Sequence, residues 1–259
     1  MAFSTHPCFD TPDDSTVVWR YINFSKLISL LSKRALFFSR LRYLENDPWE
    51  GYYPKLQFTD NSYKQMAEEL KWDLKNAESV SKTLIGGIEK RRNDFAVSCW
   101  TIDEHESDAL WRIYAPNQGV AIKSTVGRLK LAIRGFHGQV YIGKINYLDY
   151  NKEIIKIDNG FWPTICKRMA FSYERELRLV TPEQKLNIPK LNISFPGFSD
   201  KAGDRGELAP VDVMGLVEKI VIGPNERTWF LDAVKDTITK FGVAIPVASS
   251  SLSESPGTS

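Results

Sequence analysis

The sequence predicts a single α+β domain of mostly antiparallel, split sheets with flanking helices. Two observations carry this. The hydrophobic period switches between 2 and 3.6 along the chain, too irregularly for a doubly wound parallel sheet. No internal repeat or composition break divides the 259 residues, which are enough to bury a substantial core. The domain is expected over residues 16–248, between a flexible arm at 1–15 and a disordered tail at 249–259. A hydrophobic content of 42% and a charged content of 25% are ordinary for a soluble globular protein, and a net charge of +2 provides no strong field for nucleic acid or an anionic membrane.

The elements follow in order. "TVVWRYIN" is β-branched and aromatic, hence a strand. "NFSKLISLLSKR" has helical spacing of apolar residues, with Asn23 or Ser25 as its N-cap. "ALFFSRL" is a second strand, and "ENDPWEG" a turn in which Asn46, Asp47 and Pro48 fix the backbone. Residues 60–92 carry an amphipathic helical pattern broken near Gly86 and Gly87. "DFAVSCWT", "GVAIKST" and "GQVYIGKINYL" are strands, and "DEHESDALWRIYA" is a polar loop entering a helix capped by Ser107 or Asp108. "GFWPTICKRMAFSY" is expected to form a short helix before the strand "ELRLVT". Residues 181–210 are rich in Pro, Gly and Lys and are expected to make a surface excursion. "LVEKIVIGP", a helix in "ERTWFLDAVKDTITKFG" and a strand in "VAIPVAS" close the chain.

Cys8, Cys99 and Cys166 are far apart and form no CxxC pair, and the histidines show no HExxH or other ligand spacing. No metal site is expected. The N-terminus has no basic or apolar targeting region, and the most apolar helix is interrupted by Lys26, Lys33 and Arg34. A cytoplasmic, reduced, membrane-free chain is expected.

"WRY", "ALFFS", "NDPWEG", "VSCW", "ALWRIYAPNQGVAI", "YERELRLV" and "KIVIGP" come in an order that resembles a widespread bacterial family of unknown function with an Asn-Asp-Pro-aromatic-Glu motif. The resemblance spans residues 17–246 and implies no activity. A second resemblance concerns the site. Arg20 on the first strand, Ser98 or Ser124-Thr125 on middle strands, and Glu174-Arg175-Glu176 before "LRLV" resemble the Arg/Ser/Glu-x-Glu order of mono-ADP-ribosyltransferases. That resemblance implies a transferase-like fold and NAD as co-substrate. The acceptor would be a macromolecule, protein or nucleic acid, in a bacterial toxin or phage-defence effector with a possible partner protein.

The chemistry explains the residue types. Breaking the nicotinamide–ribose bond develops an oxocarbenium-like cation, which a carboxylate stabilises. Glu176 would face that cation, and Glu174 would orient or deprotonate the acceptor. Arg20 would meet the pyrophosphate, Ser98 or Ser124 would brace the site, and Tyr21, Trp49 or Tyr173 would stack on the nicotinamide. Asp47 with Glu50 would line the site beside Arg40 and Arg42. Two competing readings stand beside this one. One is a metal-dependent nuclease using Asp47, Glu50, Glu174 and Glu176. The other is a non-catalytic binding module, in which these charges fix loops and a partner sits on the aromatic surface. Taken motif by motif, the plain structural alternatives are that Glu176 forms exposed ion pairs with Arg175 or Arg178, that Arg20 stacks on its aromatic neighbours and that Lys167-Arg168 is a solvated face.

Overall fold

The computed structural model describes residues 2–182 and 205–254. Its centre is a nine-stranded sheet. Strand β1 (Val17–Asn23) lies between β3 (Phe95–Ile102) and β4 (Gly119–Thr125), both antiparallel to it. Beyond β4 come β10 (Lys219–Ile222) and, parallel to it, β11 (Val247–Ser249). On the other side of β3 lie β8 (Glu176–Pro182) and then β5 (Tyr141–Lys144). β2 (Ala35–Arg40) pairs with the beginning of β3, at Ala96 and Val97, and carries β9 (Gly206–Pro210) at its far edge. Because β1 takes only the end of β3, at Thr101 and Ile102, the sheet forks at β3. Instead of two separate sheets, one forked sheet forms, with a small parallel ribbon of β6 (Asn146–Leu148) and β7 (Cys166–Arg168).

Helix α1 (Phe24–Lys33) begins where Asn23 accepts the Lys26 amide (3.0 Å) and buries Leu27, Leu30 and Leu31. With α6 (Val126–Ala132) and α8 (Thr228–Lys240) it covers one sheet face, enclosing Val18, Trp100, Ile122, Leu177, Leu179 and Phe230. The other face carries α5 (Asp108–Tyr114), whose Leu110 and Trp111 pack on Trp19 and Tyr21. On that face, too, Phe9, Val97, Tyr141 and Val180 form an apolar cluster. The expected 60–92 helical region is α2 (Asp60–Leu70), α3 (Leu74–Gly86) and α4 (Ile88–Asp94). The short helices α7 (Val213–Leu216), before β10, and the 3₁₀ turns complete the described elements.

Four expectations are corrected. The arm is not free: Ala2, Cys8, Phe9 and Pro12 are buried, and Phe3 bridges to Val140. "GFWPTICKRMAFSY" is not a helix but a 3₁₀ turn at Trp162–Thr164, strand β7 and a 3₁₀ turn at Met169–Glu174. The chain is drawn into extended pairing instead: Cys166–Arg168 pair with Asn146–Leu148, and Ile165 and Cys166 are buried. The tail begins later than expected, because Ser250 and Ser251 hydrogen-bond Glu106, and residues 249–254 are part of the fold. The excursion expected at 181–210 starts inside β8 and ends in β9, and its middle lies outside the described residues. Among the described residues no helix is long and apolar enough to cross a membrane.

Candidate functional site

Strand β8 places Leu177 and Leu179 in the helix-covered core, so Glu176 and Arg178 must point to the opposite face. There they meet three segments: the "NDPWEG" turn, strand β7 and the 3₁₀ turn at Met169–Glu174. The turn forms as its residues dictate. Asp47 accepts the Trp49 amide (2.9 Å), the Glu50 amide donates to the Asp47 carbonyl (3.0 Å), and Gly51 takes φ +76°. The result turns Asp47 and Glu50 inward, both 2% exposed.

Four carboxylates and three cations meet in this space. Arg178, fully buried, donates Nε to Glu176 (2.6 Å) and Nη1 to Glu50 (2.7 Å) and to the Thr164 carbonyl (2.8 Å). The Lys167 ammonium bridges Glu174 and Glu176, the latter at 3.2 Å, and lies 4.0 Å from Glu50. Arg168 pairs with Asp47 (2.6 Å). Tyr114, at the end of α5, donates to Glu174 (2.7 Å), and Tyr147 accepts the Glu176 amide (2.8 Å). Phe171 lies over the Lys167 and Arg168 charges, with Tyr173 exposed beside it.

Glu174 and Glu176 converge because Arg175, between them, takes a left-handed conformation at φ +43°. Such backbone costs a non-glycine residue roughly 1–2 kcal/mol and is retained where the surroundings require it. Arg175→Val, whose branched side chain tolerates this region worst, is expected to lower stability by at least about 1 kcal/mol. Arg175→Gly should fold normally. Urea unfolding of both variants checks the difference.

The environments of the two glutamates push them apart. Burial drives the Glu174 carboxyl upward, and the Glu176 charge adds to this against the pull of Lys167. For Glu176 burial acts in the same direction, yet the Arg178 and Lys167 charges outweigh it and hold the carboxyl at about 2. The Lys167 ammonium loses water on burial, but its carboxylate partners raise it overall. The two carboxyls are thus shifted in opposite directions, Glu174 upward and Glu176 downward. Beside Glu176 opens a cleft of about 420 Å³ lined by Ile102, Asp103, Glu104, Lys144, Ile145, Tyr147 and Arg175. Within the cluster, Asp47 Oδ2 and Arg168 Nε are buried without a hydrogen-bond partner.

Of the site residues expected from sequence, Glu174, Glu176, Asp47 and Glu50 come together. The cations beside Asp47 and Glu50 are Arg168 and Arg178, not Arg40 and Arg42. Trp49 stands at the edge, against Tyr150, and Tyr173 at the rim. Arg20 and Ser98 are elsewhere. Trp19 pairs with Thr101, and Thr101 with Glu176, so these three share a face and Arg20, one residue on, points to the other. The single cleft joining Arg20 to Glu176 that the transferase resemblance requires is therefore not formed. Tyr21 accepts the Ser107 amide (2.8 Å) under α5, and Ser124 ties β4 to the Leu216 carbonyl (2.5 Å), so both serve the fold.

Glu174, Glu176 and Arg178 are buried rather than exposed ion pairs, and Lys167 is 7% exposed rather than on a solvated face. Among the described residues no group of three or more His, Cys, Asp or Glu could hold a metal ion, since the acids here turn toward Lys167, Arg168 and Arg178. Lys167, Arg168, Tyr114 and Tyr147 were not legible as site residues. The one available signal was a charged pair, Lys167-Arg168, set inside the apolar run from Trp162 to Phe171. The chain matches no protein-family model, no curated protein and no solved structure.

Proposed function

We propose that the carboxylate cluster cleaves the nicotinamide–ribose bond of NAD and passes the ADP-ribosyl group to a macromolecular acceptor. The observation that carries this is the pair Glu174 and Glu176, which share one ammonium while their environments push their protonation apart, beside an open cleft. Divergent carboxyls of this kind mark acid–base assignments. Ionised Glu176 faces the cation that develops as the C1′–N bond breaks and its electron pair leaves on nicotinamide. A lone pair of the acceptor then forms the new bond to C1′, and its proton passes to Glu174, whose raised pKa suits a general base. Tyr114 and Lys167 orient Glu174. Arg20, to which the resemblance gave the pyrophosphate, lies on the other sheet face, so the reading rests on the two glutamates alone; the cleft-wall cations Lys144 and Arg175 are already paired with Asp10 and Asp103.

A second reading has its own observation. Every carboxylate in the cluster already has a cation, as in a clamp that holds the 45–51 turn on β8. Incubation of the purified chain with NAD and chromatography of released nicotinamide separates the two. The transferase reading expects release by the wild type. It also expects Glu174→Gln to retain much of the hydrolysis while losing transfer to an acceptor by at least about tenfold. A wild type that releases no nicotinamide, with and without cell-extract acceptors, leaves the clamp.

A further inference from the structure

Strand β2 leaves one aromatic ring without cover. Phe37 is 40% exposed, and Leu208, directly opposite it on β9, is 45% exposed. The ring leans along the sheet over Gly206, where a Cβ would come within 2.6 Å of the ring, so only glycine lets it lie there. Cross-strand neighbours on one face lie about 5 Å apart, so ring and leucine form one apolar platform. Alternation turns Glu207, between Gly206 and Leu208, to the opposite face. At the end of the platform stand two arginines. Arg205 precedes Gly206 in the chain, and its guanidinium lies 5.7 Å from the centre of the Tyr43 ring; that of Arg42 lies 4.7 Å from the same centre. Both arginines are exposed. Among the described residues neither has a carboxylate partner: Arg42 Nη1 donates to Asn93 Oδ1 (2.8 Å), and Arg205 contacts the Tyr43 ring. Two like charges on one ring lie within about one Debye length of each other at 0.1 M salt, so they repel, and a polyanion relieves that repulsion.

We infer that this platform binds single-stranded nucleic acid, with an unpaired base stacked on Phe37 and phosphates held by Arg42 and Arg205. The residue types suit both tasks. A base of any sequence stacks on an exposed ring, and the guanidinium fork matches phosphate oxygens. A duplex, whose bases are already paired and stacked on one another, cannot use the ring. The net charge of the chain is only +2, so binding depends on this local concentration of charge. The inference concerns β2, β9 and the turn after β2, and it does not rest on the proposed cleavage of NAD.

The test is fluorescence anisotropy of the whole chain with a labelled single strand of about 12 nucleotides, as RNA and as DNA, and with the corresponding duplex. The wild type should bind a single strand of at least one kind, with an affinity that falls steeply as salt rises. Arg42→Met and Arg205→Met should each weaken binding by about threefold or more and make the salt dependence shallower. Phe37→Leu keeps an apolar side chain but removes the stacking face. It should weaken binding by about fivefold or more and leave the salt dependence as it is. All three side chains are exposed, so the variants fold. A wild type that binds neither strand, a duplex bound as tightly as the single strand, or an affinity unchanged in all three variants overturns the inference. So does a wild-type dimer in sedimentation that Phe37→Leu converts to monomer, since the platform would then be an interface between two copies of the chain.

Discussion

Arg178→Met is expected to destabilise the protein by about 3–5 kcal/mol, which is the usual result of removing one partner from a buried charge network. Arg178 is fully buried and holds both Glu50 and Glu176, so its loss leaves two carboxylates out of water with weaker partners. Against a typical total of about 5–15 kcal/mol, such a loss leaves a marginal fold. Urea unfolding at neutral pH measures it. A triple variant, Glu50→Gln with Arg178→Met and Glu176→Gln, adds a further test, because apolar or neutral replacements of a whole buried ion group are often tolerated. The triple variant should regain much of the stability lost by Arg178→Met and have no nicotinamide-releasing activity. Recovery of both would mean that the cluster serves the fold alone.

Glu176→Gln is expected to lower nicotinamide release by roughly a hundredfold or more, since a carboxylate facing a ribosyl cation contributes several kcal/mol and each 1.36 kcal/mol is about tenfold in rate. Unlike an exposed ion-pair carboxylate, it should also affect stability, because Glu176 is 4% exposed and bound by Arg178 and Lys167. The pH dependence separates the two effects. Burial would raise the Glu176 carboxyl, but Arg178 and Lys167 hold it at about 2. A depressed carboxyl stabilises the fold above its unfolded value of about 4.3, and that contribution disappears as pH falls through the folded value. The stability gap between wild type and Glu176→Gln should therefore be full at neutral pH and shrink below about pH 4. A gap unchanged down to about pH 2 would mean that shape rather than charge holds β8 in place. Glu174 works with the opposite sign. Its raised carboxyl contributes stability at low pH, which is lost as pH rises through its folded value. Rates are best compared below the melting range of each variant.

Much of the fold was written locally. The β-branched run at 17–23, the spacing of Leu27, Leu30 and Leu31 behind Asn23, and the Ser107 cap of α5 each depend on a few neighbouring residues, and each forms as its pattern dictates. The "NDPWEG" turn and the two glutamates of "YERELRLV" were likewise visible, because turn chemistry and acidic pairs are short-range signals. What a charge faces is not a short-range property. That Arg178 meets Glu50, 128 positions away in sequence, follows from the forked sheet and the placement of β7 above it, and no local pattern records that placement. The same geometry separated Arg20 from Glu176. The order of residues along a chain leaves the face of each strand open, whereas pairing Trp19 and Glu176 with the same Thr101 fixes it, because side chains alternate with a period of two. The sequence alone thus determined the local elements and the charged residues they carry. Only the tertiary structure decided which of them meet, because strand register and burial set the company each side chain keeps.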